Sequence, residues 1–535
     1  MPTTACGSAP ASPSCYLAFS LRAFPWISQG AAVHTPEQPA AEPLVTIDKP
    51  ADDNLLDQVG RWITRSADEA ARGIGQAVLR RRLRVAVTGL SHAGKTVFMT
   101  ALLHNLRLAA RLGDGQAGHL PFFEPVAKGA LDDVALAALG DLPPFPFEAN
   151  WRRIVAPPGG AAPDFPPSTT GVSGFGAALQ YRPQGFWGRY LAHSTTVTIE
   201  MVDYPGEWLL DLPLLEMSYA DWSASALRLA ESGSRTNIGG DWRNLDADAP
   251  ATEALLESAR LSFTGYLAAC RAAPYHLSHV QPGRFLNPGD GTADLQAFRF
   301  CPLRLRPGAI AKAGSLAEAM AQRFERYKAE IVHPFFRDVF SRFDRQLVLV
   351  DVIGALNAGP ESFHDMRRAL REVLPSFNRG NGSLLTRLFQ PRTEKVLFAA
   401  TKADHVTANQ FHNLRLLLRA MMADDLGNLP ISADETDFAA LSALKCTANR
   451  RVMYQGQQIT VLEGIIRGRD LPEQLYPGEI PELLPSEDDW RSERFRFYDF
   501  RPPDLEGESP LASARGIPHV HLDRALQFLT GDLFW

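Results

Sequence analysis

The feature that most constrains the fold of this chain is the run GLSHAGKT at residues 89–96, which directly follows a short apolar strand, Val85–Thr88. The pattern G-x-x-x-x-G-K-T is typical of a loop that curls around phosphate groups and turns its backbone N–H groups toward them. Such a loop lies between a buried strand and a helix, and helical periodicity from Thr96 to Leu108 supplies that helix. The sequence therefore predicts an α/β P-loop fold.

The residue types in this loop indicate how a nucleoside triphosphate and its Mg²⁺ would be held. Lys95 is expected to reach the terminal phosphates as a catalytic cation, and the Thr96 hydroxyl is expected to coordinate the metal. The residues expected to contact the phosphates are Gly89, Ser91, His92, Ala93, Gly94, Lys95, Thr96 and Val97.

A second strand, Val197–Val202, ends in the D-x-x-G pattern DYPG at residues 203–206. In P-loop proteins an acidic residue at the end of a neighbouring strand holds Mg²⁺, often through water. We therefore expect Asp203 to hold the metal and the Gly206 N–H to reach the γ-phosphate. The alternative is a plain exit from strand to turn.

Glu207 stands where many GTPases carry the glutamine that orients the attacking water. A γ-phosphate repels a nearby carboxylate unless the carboxylate is protonated or rotated away. Glu207 is thus either the catalytic water-positioning group or a surface turn residue. No arginine is identifiable from the sequence as a catalytic group supplied in cis. Any hydrolysis is therefore expected to be slow, about 10⁻⁴–10⁻² s⁻¹.

One more hydroxyl from the segment before the D-x-x-G strand usually completes the metal shell. The run PPSTTG at residues 166–171 offers Thr169 or Thr170 for this role. Thr195 and Thr196 are weaker alternatives because they open the strand itself.

The run TKAD at residues 401–404 follows another buried strand, 396–400. A carboxylate at Asp404 can accept from guanine N1–H and N2–H₂ together, a donor pair that adenine lacks. The Thr401 hydroxyl would brace the loop, and the Lys402 stem would lie over the base. Alternatively, Asp404 only caps the following helix.

A further contact to the base is expected after the apolar run Phe438–Leu444. There the backbone of Lys445 and Cys446 is expected to meet guanine O6.

Apolar strands alternate with helical segments along the chain, which predicts a mostly parallel sheet with helices on both faces. Strands are expected at 177–181, 195–202, 347–350, 396–400 and 438–444, and a hairpin about residues 455–456. Helices are expected at 54–82, 131–139, 217–232, 251–273, 315–343, 361–373, 410–422 and 522–529. The expected organisation is a disordered tail at 1–53, an amphipathic helix at 54–82, the first half of the P-loop domain at 83–215, a helical insertion at 216–345, the second half with the base-reading motif at 346–450, and a C-terminal extension packed on that domain at 451–535.

Composition excludes several other classes of protein. The net charge of -6 argues against a nucleic-acid partner, which would favour a basic surplus. No run of about 18 apolar residues occurs, so no transmembrane helix is expected. The five cysteines have no metal-ligand spacing, which fits unpaired thiols in a reducing compartment. We expect a cytoplasmic protein.

Taken in order, GLSHAGKT, TIEMVDYPGEWLLDLPLL, RQLVLVDVIGALNAGP and VLFAATKADHV closely resemble the YcjX-like family of bacterial P-loop proteins. The resemblance covers the chain from about Leu55 to its C-terminus. It implies a Ras-like GTP-binding fold enlarged by a helical region, with GTP or GDP as ligand. It also implies a setting in bacterial envelope stress and a membrane-associated protein partner. The family's site residues correspond to Gly89, Lys95, Thr96, Asp203, Gly206, Lys402 and Asp404.

Three functions remain open from the sequence. The first is a slow Mg²⁺-dependent GTPase whose segments around Thr169 and Asp203 are ordered by the γ-phosphate. The second is a nucleotide-gated scaffold that binds GTP with little turnover, which Glu207 leaves open. The third is an ATPase in which Asp404 is only a helix cap.

Overall fold

The structure is a computed structural model that describes residues 80–89, 93–112, 120–140, 142–155, 162–183, 194–289, 296–306, 308, 310–377, 393–426, 435–492, 494–505 and 516–534. The tail expected at 1–53 lies outside the described residues, as does the helix expected at 54–82 except for its last three positions.

Seven strands of the described chain form one sheet, in the order β2-β3-β4-β1-β5-β6-β7. β1 pairs in parallel with β4 and β5, β5 with β6, and β6 with β7, whereas β3 is antiparallel to both β2 and β4. The expectation of a mostly parallel sheet is confirmed. The strands are β1 (Arg80–Gly89), β2 (Leu131–Ala137), β3 (Ser173–Tyr181), β4 (Thr195–Asp203), β5 (Arg345–Val350), β6 (Lys395–Ala400) and β7 (Thr436–Ala440).

Helices cover both faces of this sheet, and the connection between β4 and β5 is largely helical. The helices are α1 (Lys95–Leu112), α2 (Glu124–Ala127), α3 (Phe147–Val155), α4 (Tyr219–Ala230), α5 (Glu253–Arg271), α6 (Leu316–Tyr327), α7 (His333–Asp338), α8 (Val352–Ala358), α9 (Pro360–Val373), α10 (Phe411–Leu426), α11 (Glu487–Arg491) and α12 (Leu522–Thr530).

Strand β5 illustrates why both faces must be covered, because all six of its residues are buried. Successive side chains of a strand point to opposite faces. Leu347 and Leu349 join a core that includes α1 and α12, whereas Val348 and Val350 join a core on the other face. The four apolar residues of β5 are therefore divided between two separate apolar cores.

The second of these cores continues from the sheet into the helices between β4 and β5. We call this part of the chain, from α4 to α7 (residues 219–338), the helical region. Trp222 of α4 stacks on Phe324 of α6, with ring centroids 5.2 Å apart, and meets Phe263 of α5 edge-on. These rings belong to the same buried cluster as Val348 and Phe398 of the sheet. The helical region and the sheet thus share one core.

The segment expected to form a helix at 131–139 is instead the edge strand β2, so that prediction is wrong. Leu131 and Val134 are buried and three residues apart, which is helix-like spacing. A register shift between Leu131 and Asp133 produces this spacing, because the extra residue interrupts the alternation of the strand.

Three other boundaries differ from expectation. Residues 80–82, expected to end a helix, begin β1, and Arg82 and Arg84 flank Glu200 of β4. The strand expected at 438–444 ends at Ala440. The helix expected at 315–343 is interrupted by a π-helical turn at 328–332 and by Pro334, whose ring cannot continue a regular helix interior.

The C-terminal part of the chain is built into the same structure. The expected hairpin is confirmed as β8 (Thr447–Tyr454) and β9 (Gln457–Ile465), which form a three-stranded antiparallel sheet with β10 (Pro472–Leu475). α12 packs against the central sheet beside α1. Within the described ranges, no helix has the length and apolar character needed to cross a bilayer.

Because α12 fills one of the two sheet cores, Leu526→Ala is expected to lower the free energy of unfolding by about 2–5 kcal/mol. Leu526 is buried in that core, whereas Leu483, which is 75% exposed, provides a matched control. Urea unfolding followed by circular dichroism measures both variants. A Leu526→Ala variant within 0.5 kcal/mol of the Leu483→Ala variant would show that α12 is not part of the core.

Candidate functional site

The phosphate-type loop joins β1 to α1, and its conformation explains its two described glycines. Gly94 has φ 86°, a left-handed conformation that favours glycine. A side chain at Gly89 would lie 2.4 Å from the carbonyl oxygen of Leu349, so only glycine allows β1 to lie this close to β5. Lys95 Nζ donates to the Gly89 carbonyl at 3.2 Å, which closes the loop on itself. Ser91 and His92 lie outside the described residues.

Three side chains expected to hold a metal form one chain of hydrogen bonds. The Oγ1 atoms of Thr96 and Thr169 are 3.2 Å apart, and Thr169 Oγ1 donates to Asp203 Oδ2 at 2.7 Å. Of the two candidate threonines, the structure brings Thr169 to this point, whereas Thr170 is exposed. Thr196 pairs with Arg80 at the start of β1, far along the strand from Asp203.

The environment of Asp203 is unusual for a carboxylate. Burial raises its pKa to about 6, and Lys95 and the Thr169 hydroxyl oppose that rise. Its Oδ1 atom is buried and has no hydrogen-bond partner among the described residues. A buried unpaired carboxylate oxygen carries a free-energy cost that a cation would remove.

Glu207 is buried at the same end of the site, not on the surface as one interpretation of the sequence held. Its carboxylate forms an ion pair with Arg271, the last residue of α5. Burial alone would raise the pKa of Glu207, but the charges of Arg271 and Lys95 hold it below its usual range. Glu207 is therefore an ionised carboxylate that is neutralised by the helical region.

The helical region also contacts the loop that carries Thr169. Asn287 Nδ2 donates to the Thr169 carbonyl at 3.1 Å, and the Asn287 carbonyl accepts from Trp208 Nε1 at 2.8 Å. One residue thus holds both the loop before β3 and the segment after β4.

A buried polar network fastens the segment after the D-x-x-G pattern to the helical region. Asp211 accepts from Tyr327 Oη at 2.6 Å and from the Gly283 N–H at 2.7 Å. The neighbouring Arg284 guanidinium lies 3.6 Å from the centroid of the Trp208 ring. Burial raises the pKa of Asp211 to about 6, while the bonds from Tyr327 and Gly283 oppose the rise.

The T-K-x-D loop lies after β6. Asp404 Oδ2 accepts from the Cys446 N–H at 2.6 Å, a bond across 42 residues of chain, which differs from a helix cap. Thr401 Oγ1 donates to the Val350 carbonyl at 3.3 Å and so braces the end of β5. Lys402, at φ 57°, places Nζ 2.6 Å from Asp351, the residue that follows β5.

The loop after β7 differs in detail from its expected role. The Lys445 N–H donates to the Pro518 carbonyl at 2.7 Å, and the Cys446 N–H is used by Asp404. The cavity is lined instead by the three residues before Lys445, which are Ser442, Ala443 and Leu444. Cys446, which is buried, also lines it.

A single cavity of about 500 Å³ joins these two ends. It is bounded at one end by Lys95, Thr96, Thr169 and Glu207, and at the other by Asp404 and the loop 441–444. Volumes of 300–1,000 Å³ are typical of small-molecule sites. The other lining residues that the sequence did not single out include Arg271, Leu286, Asn287 and Arg467. Their only sequence signal is position in the helical and C-terminal regions, which gives no side-chain role.

The sheet order, the loop after β1 and the converging strand ends define a P-loop NTPase fold of the Ras-like type. The chain belongs to the YcjX-like family, DUF463, whose model matches residues 83–534. It is 36% identical over 463 residues to the Ras-like GTPase YcjX of Escherichia coli, covering 84% of this chain and 96% of the relative. It is 34% identical over 473 residues to the Ras-like GTPase YcjX of Shewanella oneidensis, covering 84% and 94%.

The raised pKa of Asp211 predicts a pH-dependent contribution to stability. Between about pH 4 and 6 the folded protein keeps a proton on Asp211 that the unfolded chain has lost. The free energy of unfolding therefore falls as the pH rises through this window, by about 3 kcal/mol in total from this group. Asp211→Asn is expected to remove that fall.

Urea unfolding of both proteins from pH 4 to 7 measures the difference in slope, in which all other titrating groups cancel. Parallel pH profiles for wild type and Asp211→Asn would contradict the assigned pKa.

Proposed function

We propose that this protein is a Mg²⁺-dependent GTPase that binds GTP and GDP, hydrolyses GTP slowly and acts as a nucleotide switch. The observation that carries the proposal is the cavity itself, with Thr96 and Thr169 at one end and Asp404 at the other. Thr169 hydrogen-bonds both Thr96 and Asp203, which lies just behind the lining. The relatives' names, both Ras-like GTPases, support the same chemistry.

The residues at the first end fit a divalent cation, because Asp203 Oδ1 is buried without a partner and two hydroxyls adjoin it. Thr96, Thr169 and Asp203 would hold Mg²⁺, which would neutralise charge on the β- and γ-phosphate oxygens. Within the described ranges no cluster of three or more His, Cys, Asp or Glu could hold a metal. Hydroxyl, water and phosphate oxygens would therefore supply the rest of the shell, as Mg²⁺ prefers.

Lys95 and the backbone around it would hold the phosphates. The Lys95 ammonium now bonds the Gly89 carbonyl, a neutral acceptor that a phosphate oxygen would replace with a stronger, charge-assisted bond. The loop N–H groups and Gly206 would complete the phosphate contacts.

Asp404 would select guanine at the other end. Its bond to the Cys446 N–H fixes the carboxylate in the cavity, and a carboxylate can accept further hydrogen bonds beyond that one. We expected Lys445 and Cys446 to contact guanine O6, but their N–H groups already donate to Pro518 and Asp404. We therefore assign this contact to Ala443 and Leu444, which line the cavity.

A scaffold that binds GTP with little turnover is the second candidate, favoured by the carboxylate of Glu207 where a neutral glutamine would orient water. A cytoplasmic location rests on the cysteine pattern. A setting in bacterial envelope stress, at the inner membrane through a membrane-associated partner, rests on the family resemblance.

Asp404→Asn is expected to exchange guanine preference for xanthine preference. The asparagine NH₂ would face the N2 amine of guanine and weaken GTP binding by about 1–3 kcal/mol, one to two decades in Kd. Xanthine carries a carbonyl at that position, which the NH₂ would satisfy while the amide oxygen accepts from N1–H. Competition binding of GTP, XTP and ATP to both proteins measures the change.

Asp470→Asn, an exposed position, is the matched control and should bind like wild type. If Asp404→Asn retains GTP affinity and gains none for XTP, the guanine assignment fails. Equal wild-type affinities for ATP and GTP would favour an ATPase instead.

Lys95→Ala is expected to abolish binding of Mg²⁺–GTP while leaving the fold intact, because among the described residues the ammonium hydrogen-bonds the loop carbonyl of Gly89 and no element of the core. Fluorescent-GTP titration measures the affinity, and circular dichroism verifies the fold. Lys128→Ala, at a half-exposed lysine paired with Glu124, serves as control. A Lys95→Ala affinity within threefold of wild type would overturn the phosphate-loop assignment.

A further inference from the structure

Arg271 is the cation that the helical region contributes to the cavity. Resting on the GTPase function proposed above, we propose that Arg271 is a catalytic arginine supplied in cis, and that Glu207 holds its guanidinium beside the terminal phosphate. Arginines in this role stabilise the charge that develops on the phosphoryl group during transfer. The sequence alone does not reveal this role for Arg271, because its partner Glu207 is 64 residues away along the chain.

The position of Arg271 at the phosphate end follows from its partner. Glu207 comes directly after the D-x-x-G glycine, and Lys95 lies close enough for its charge to oppose the rise in the pKa of Asp203 and to help lower the pKa of Glu207. Arg271 Nη2 donates to Glu207 Oε1, so the guanidinium lies among the groups that would surround a γ-phosphate.

The other cations of the cavity are committed elsewhere. The described residues that line it include four lysines or arginines: Lys95, Arg271, Lys402 and Arg467. Lys402 pairs with Asp351, and Arg467 pairs with Asp164 and lies 3.6 Å from Asp499. Arg271 is therefore the cation that joins Lys95 at the phosphate end.

Glu207 itself requires such a partner. A buried carboxylate next to a triphosphate would be repelled strongly, because neither charge is screened by water. The ion pair with Arg271 cancels that charge. Since a guanidinium has five N–H donors, Arg271 can keep its bond to Glu207 and still donate to phosphoryl oxygens.

Buried contacts hold the backbone beside Arg271, so the Cα from which its side chain extends has a fixed position. The preceding Cys270 is fully buried, and its carbonyl accepts from the Leu277 N–H at 2.9 Å. Cys270 Sγ accepts from Arg235 Nη1 at 3.2 Å, and Arg235 is anchored by Asp365 at 2.7 Å. A rigid support of this kind is what a catalytic side chain needs.

In the reaction, the oxygen of water attacks the γ-phosphorus while the bond from that phosphorus to the β–γ bridging oxygen breaks. The bonding pair stays on the β-phosphate of GDP, and the water proton passes to the released phosphate. Arg271 donates N–H bonds to the oxygens on which negative charge accumulates. Glu207 accepts a hydrogen bond from the attacking water with its second oxygen.

The test compares the full-length wild type with Arg271→Ala and Arg271→Lys in single-turnover GTP hydrolysis. Both variants are expected to lose at least about tenfold in rate, because a lysine keeps the charge but has no fork to span Glu207 and the phosphate. Affinities for GDP and for a non-hydrolysable GTP analogue are expected to stay within threefold. Arg260→Ala, on the same helix and paired with Glu257, is the matched control.

A second measurement reports the transition state alone. Aluminium fluoride with GDP mimics the planar phosphoryl group. Wild type is therefore expected to bind the GDP–aluminium fluoride complex, and both Arg271 variants are expected not to bind it. Normal hydrolysis in both variants, or an equal loss of GDP affinity, would overturn the catalytic role. Hydrolysis by wild type no faster than by Lys95→Ala would instead overturn the GTPase function itself.

Discussion

A parallel sheet that is apolar on both faces must be covered on both, and much of this molecule follows from that requirement. The alternating residues of β5 feed two cores, one closed by α1 and α12 and the other by the helical region. The elements that cover the sheet are thereby brought to the carboxyl ends of its strands. In open α/β sheets that edge is where ligands bind.

The helical region is consequently part of the site as well as part of the core. Asn287 contacts the loop of Thr169 and the segment of Trp208, and Arg271 neutralises Glu207. Asp211 anchors the same segment through three donors from the helical region: Tyr327 Oη and the N–H groups of Gly283 and Arg284. The loop of Thr169 and the segment after β4 are thus both bonded to the helical region.

Local chemistry made a large part of this structure predictable. The glycine-rich loop, the D-x-x-G strand end and the T-K-x-D strand end each depend on a few adjacent residues, and parallel strands bring their ends to one edge. Thr169 could be proposed because a hydroxyl-rich loop lies upstream of the D-x-x-G strand, and the structure shows that this loop leads into β3. The mostly parallel sheet followed from apolar runs such as 347–350, which are buried on both faces.

The features that could not be predicted depend on contacts between residues far apart in the sequence, which local sequence patterns do not indicate. The bulge in β2 gave buried residues a helical spacing, and the Asp404–Cys446 bond redirected an N–H group expected for the base. The pairing of Arg271 with Glu207 joins residues whose proximity arises only after α5 has packed. Sequence position alone could not distinguish Arg271 from a solvated helix end.

The shared core of the sheet and the helical region also limits how this protein can move. Trp222 and Val348 belong to one apolar cluster, so rotating the helical region away as a rigid body would expose that surface to water. Exposing even a few hundred Å² costs about 5–10 kcal/mol, more than the 1–3 kcal/mol typical of coupling between sites. Any rearrangement in the nucleotide switch proposed above would therefore be confined to short segments and side chains. Such segments relax in nanoseconds to microseconds, whereas a hinged lobe moves in microseconds to milliseconds.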